Sequence, residues 1–175
     1  FCEKRDSTPL YREFARILRT DAAHHGNADK PRVMKVPQFA EELPALLSQF
    51  PNARLVVADR DDDDVLKSAI SVVANQMTIQ CDNVDLDWIE AEWRRKLELR
   101  HTRVQSALSD FDGPVARIHF DELGADWQSE ISRIYAELGI ALSGNAMSAM
   151  REEMTTSEGG VHSQHAAQLS KVSAG

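Results

Sequence analysis

Lys35 and Arg60 are the residues whose types and positions offer the clearest chemistry. Lys35 closes a short β-rich run, Arg32–Lys35, and Arg60 stands just beyond a second, Arg54–Ala58. The residues between them have helical character, so the stretch reads as two parallel strands joined by a crossover, a unit whose ligands gather at the strand carboxyl ends. A cation at each of two such ends is what a phosphorylated ligand needs, because each charge is held at a rim that an anion can approach. The same spacing also fits two solvated strand-end charges, and the residue types leave both readings open. Ser68, eight positions after Arg60, lies at the border of the apolar stripe Val65, Leu66, Ala69, Ile70, Val73 and Met77, where a hydroxyl can face a cleft or make only a local hydrogen bond. No metal is assigned. His24-His25 sits in a polar stretch without further ligands at metal spacing, and the His162/His165 pair lies in a Ser/Gly/Ala-rich tail.

The elements that must position these residues follow from apolar periodicity. Leu10, Phe14, Ile17 and Leu18 predict an amphipathic helix over Pro9–Arg19, followed by a loop over Asp21–Asp29. Pro44 confines the next helix to a start near Leu43. Leu55-Val56-Val57-Ala58 is nearly continuous in apolar character, as in a central parallel strand covered on both faces. Asp61–Asp64 opens the helix that carries Ser68, with acids that suit free N–H groups and the helix dipole. Asp82–Ser109 is a long helical stretch in which Trp88 and Trp93 read as core anchors. A third strand is expected over Val115–Phe120, with His119 structural. A helix capped by Asp126 and stopped by Gly139 follows, then a short one near Ser143–Met154.

Size and composition bound the rest. The chain has 175 residues, 42% hydrophobic and 27% charged, which suits one globular domain or part of one. A formal net charge of −8 argues against general nucleic-acid binding, so an anionic ligand must be held by local cations. Cys2 and Cys81 are too few for a disulfide framework or a zinc site, which makes a reduced, cytoplasmic setting the expectation. No apolar run reaches membrane-spanning length. Residues 1–156 are expected to form one folded portion and 157–175 a flexible tail.

Several short motifs, in order, resemble the sulfotransferase superfamily, in particular its bacterial-type branch. They are Val33-Met34-Lys35-Val36-Pro37-Gln38, then Leu43, Leu46-Leu47, Phe50-Pro51-Asn52-Ala53-Arg54, Asp59-Arg60-Asp61 and Ser68. Tyr11-Arg12 through Leu18 and Ile118 through Leu142 extend the similarity over most of residues 9–150. The resemblance implies an α/β, P-loop-like three-layer fold with a mainly parallel sheet. It further implies transfer of a sulfuryl group from 3′-phosphoadenylyl sulfate to a hydroxyl or amine acceptor, carried on a small molecule, glycan or lipid. Arg60 and Ser68 inherit the 3′-phosphate contacts, and Lys35 the role of catalytic cation.

Three departures accompany it. Phe39 stands where the pattern has a His suited to act as general base. Asp61–Asp64 replaces an Asp-Pro. No Gly/Ser/Thr-rich donor loop occurs, so the chain is expected to be the carboxyl-terminal portion of a larger protein, inactive without its amino-terminal part. A non-catalytic nucleotide-binding or regulatory relative is the alternative, and a P-loop kinase-like protein a third reading that would need a Walker loop.

Overall fold

The computed structural model describes residues 6–157. They divide into two compact units, the first made of 6–54 and 96–113 and the second of 55–95 and 114–157.

In the first unit, α1 (Thr8–His25) starts where Asp6 Oδ1 accepts the Thr8 N–H at 2.9 Å and Pro9 needs no hydrogen-bond partner in the first turn. It runs six residues past the predicted end. Asp21-Ala22-Ala23 continues the helix, and the stop is Gly26, whose φ of 60° lets the Gly26 and Asn27 N–H groups reach the Ala23 and Ala22 carbonyls. A 3-10 turn, Pro37–Glu41, leads into α2 (Leu43–Gln49), with Pro44 in the first turn as expected. Tyr11, Ala15, Leu43 and Leu46 are buried, and Tyr11, Phe14, Phe39 and Phe50 form a chain of ring contacts 6.2–6.4 Å apart.

Arg32–Lys35 is not a strand. Residues 31–36 take no regular structure, Val33 is 98% exposed, and the Arg32 guanidinium turns back to Asp21 at 2.6 Å. Proline on both sides removes N–H donors that a ladder would use. The run is extended and solvated rather than paired.

The second unit holds the sheet. β1 (Leu55–Asp59) and β2 (Val115–His119) pair in parallel, Leu55 opposite Val115 and Asp59 opposite His119. Among the described residues the sheet has these two strands, so β1 is not central; Val56 is half exposed, and its face is not covered as the apolar run had predicted. The fold is α/β and helix-rich. On β2 the inward positions Ala116 and Ile118 pack with Ile134 and Leu138 of the segment that follows. That segment is α5 (Phe120–Ala125) and α6 (Trp127–Glu137), ended by Gly139 at φ 63°. Arg133 ties α6 to β2, donating to the Arg117 carbonyl at 2.7 Å while Glu130 and Glu137 hold its guanidinium above its ordinary pKa.

α3 (Asp62–Gln80) follows β1, and α4 (Leu86–Ser109) continues from this unit into the first. On α4 the anchor is Ile89, 1% exposed; Trp88 is 58% exposed, contrary to the core role expected for it. α7 (Gly144–Ser157) closes the described chain, so the expected tail beyond Ser157 and the pair His162/His165 lie outside the described residues.

Asp126 caps α6 by accepting the Ser129 N–H at 3.1 Å, and the Ser129 hydroxyl first, with this backbone bond second, holds its carboxyl below the usual carboxylate range. A depressed folded-state pKa means stability that is present above the unfolded value, about 4, and lost as pH falls through the folded one. Asp126→Asn, which can still accept the bond, should flatten that part of the acid unfolding curve followed by circular dichroism. An unaltered curve would show that the cap contributes nothing to the acid transition.

Candidate functional site at the carboxyl ends of the parallel strands

Because Asp59 lies opposite His119, the two strands end level with each other, and the residues that follow emerge at one edge. Arg60 leaves β1 there and Phe120 leaves β2. The Arg60 guanidinium carbon sits 4.7 Å from the centroid of the Phe120 ring, a cation–π contact on a ring that is 56% exposed. Arg117 points to the same edge, 3.5 Å from Asp59.

The acids beside Arg60 have other work. Asp61 Oδ1 accepts the N–H groups of Asp63 and Asp64 at 3.0 and 3.2 Å and so caps α3. Asp64 lies 3.8 Å from Lys67, and Asp63 lies 3.9 Å from Arg94. Arg60 is thus not consumed by Asp61 or Asp64, the pairing that its sequence neighbours invite. It is an exposed cation resting on an aromatic face, able to turn a planar fork of donors toward an anion.

Ser68 belongs to the same unit. Seven residues beyond the Asp61 cap bring the helix back to within about 20° of the same side, roughly 10 Å along its axis. Its side chain is exposed on the stripe that also carries Val72 and Ile79. Arg60 precedes the Asp61 cap of α3, and Ser68 lies two turns into that helix. Lys35 belongs to the first unit, exposed in the extended segment just before the 3-10 turn.

A family model described as "Sulfotransferase family" matches residues 2–144. The chain belongs to the sulfotransferase family. No curated protein and no solved structure matches it. The matched span of this sulfotransferase-family chain includes Lys35, Arg60 and Ser68 and every element from α1 to α6. Among its described residues no helix is long and apolar enough to cross a membrane, and no group of three or more His, Cys, Asp and Glu is placed to hold a metal ion.

Phe39, in the position where the sulfotransferase pattern has a base, is a packing residue. Its ring centroid lies 6.2 Å from that of Tyr11 and 6.3 Å from that of Phe14. Phe39→Ala should cost about 2 kcal/mol in denaturant unfolding, below the range for a fully buried Phe because the ring is only half-buried. A change under 0.5 kcal/mol, the ordinary size for a surface site, would mean that the ring contacts do not stabilise the unit.

Proposed function

We propose that this chain supplies the 3′-phosphate half of a site that transfers a sulfuryl group from 3′-phosphoadenylyl sulfate to a hydroxyl or amine acceptor, within a P-loop-like three-layer fold. The observation that carries the reading is Arg60, uncommitted to a carboxylate among the described residues and backed by Phe120 where two parallel strands end. That rim is where ligands of open α/β sheets collect.

In this reading Arg60 receives the 3′-phosphate through charge-assisted N–H donation, and the Ser68 hydroxyl of α3 adds a donor. For Lys35, which belongs to the first unit, the resemblance alone implies the role of a cation that stabilises negative charge on the leaving oxygen. When bound, the nucleotide supplies the activated sulfuryl group. The lysine ion pair on Asp64 and the nearby Arg94 moderate the acidic field along which a bisphosphate must approach. No segment of the sequence resembles a donor loop, and no residue is assigned to the 5′-phosphosulfate.

The packing of Phe39 favours a second reading, a relative that binds the nucleotide without transferring sulfate. Calorimetry with adenosine 3′,5′-bisphosphate, run beside turnover of labelled 3′-phosphoadenylyl sulfate with hydroxyl and amine acceptors, both on this chain joined to the part that supplies the 5′-phosphosulfate half, separates the two. Binding with turnover supports the transferase, binding without turnover the second reading, and absence of binding removes both.

A further inference from the structure

Glu41 and Glu42 are neighbours in sequence with opposite fates. The Glu41 carboxylate takes the Arg100 Nε and Nη2 donors at 2.9 and 2.7 Å, and its carbonyl takes Arg103 Nη1 at 2.6 Å. Glu42 Oε2 is buried and has no hydrogen-bond partner among the described residues. Nor does the Glu42 side chain cap α2, although the residue occupies the N-cap position. A carboxylate oxygen shut away from water without a donor is costly, and a native chain keeps such a group where something external satisfies it.

The space beside it tells what that something is. A cleft of about 300 Å³ is lined by Glu42 together with Asp6, Ser7, Thr8, Ala45 and Arg103, among others, all within the first unit. Arg103 is already donating to the Glu41 carbonyl. The other polar side chains on the wall are a second carboxylate, Asp6, and the hydroxyls of Ser7 and Thr8, which can accept as well as donate. The phenol of Tyr11 is held above its ordinary pKa first by burial and then by the charges of Glu42 and Glu41, which reports a negative potential in this corner of the unit.

We propose that this cleft binds a primary ammonium group, with the Glu42 carboxylate as its principal acceptor. An ammonium brings three donors and a positive charge to two carboxylates against the single Arg103 cation, whereas a hydroxyl brings one donor and no charge, and an anion meets a net negative wall. The carboxylate torsion of Glu is broad, so turning Oε2 toward the cleft costs little. The site is built from residues of the first unit alone and does not depend on sulfate transfer.

Titration of the full 175-residue chain with 2-aminoethanol, and in parallel with ethane-1,2-diol, followed by amide chemical shifts, tests it. The amine is expected to give saturable shifts at Ser7, Thr8 and Ala45 that the diol does not, and Glu42→Gln should weaken binding about tenfold or more. Equal response to amine and diol, no saturation, or unchanged affinity in Glu42→Gln would overturn the proposal. Should Glu42→Gln lose its dispersed spectrum, Ala45→Leu fills the cleft without touching the carboxylate. Loss of amine binding in that variant supports the site, and retention overturns it.

Discussion

Arg60→Ala is expected to weaken binding of adenosine 3′,5′-bisphosphate by about 1.5–3 kcal/mol, roughly ten- to a hundredfold, the worth of a charge-assisted contact to a phosphate. Arg60→Lys should recover part of that loss, since it restores the charge but not the planar fork lying over Phe120. Calorimetry on the three proteins decides the matter. Equal affinities would remove Arg60 from the site, and a loss that Arg60→Lys restores in full would reduce its role to charge alone.

The second large effect concerns the packing that keeps the strand edge in place. Ile134 is 5% exposed in a cluster with Ala116, Ile118 and Leu138. Ile134→Ala should cost about 3 kcal/mol in denaturant unfolding, the sum of lost burial and an incompletely collapsed cavity. Val33→Ala, at a position 98% exposed, is the control and should change stability by under about 0.5 kcal/mol. If the two variants unfold alike, α6 does not hold β2 by apolar packing.

Local chemistry was the most legible part of this chain. Asp61 and Asp126 cap the helices they were expected to cap, and Gly139 adopts the left-handed conformation its position called for, because each needs only a few neighbouring residues. The parallel relation of the segments around Val56 and Ile118 was readable too, from the helical character of what separates them. Arg32–Lys35 failed for a physical reason: a β-rich run describes an extended backbone but cannot say whether a partner strand satisfies its donors, and Pro31 and Pro37 weighed against one. The end of α1 was missed because His24, His25 and the polar residues around them resemble a loop, while the true stop, Gly26-Asn27, lay further on.

The candidate site was half visible. Lys35, Arg60 and Ser68 came from residue type and resemblance, whereas Phe120 could be found only once the register set Asp59 opposite His119. Glu42 carries no sequence signal at all. It differs from Glu41 solely in which carboxylate the arginines of α4 reach, and that is decided by tertiary packing.

The register also sets what β1 costs to hold. Asp59 and Arg117, joined by an ion pair across the ladder, are 58 positions apart. Closing a loop of that length costs about 3.5 kcal/mol of chain entropy beyond a constant. The hydrogen bonds of a five-residue ladder, at about 0.5–1.5 kcal/mol each, return a sum of the same order. The ladder is therefore not self-supporting, and β1 depends on β2 being already anchored by its short-range partners in α6, only 16 positions away at the Arg133–Arg117 bond. Weakening the Ile134 cluster thus loosens Arg60 as well, since the strand that delivers it is borrowed from a surface built without it.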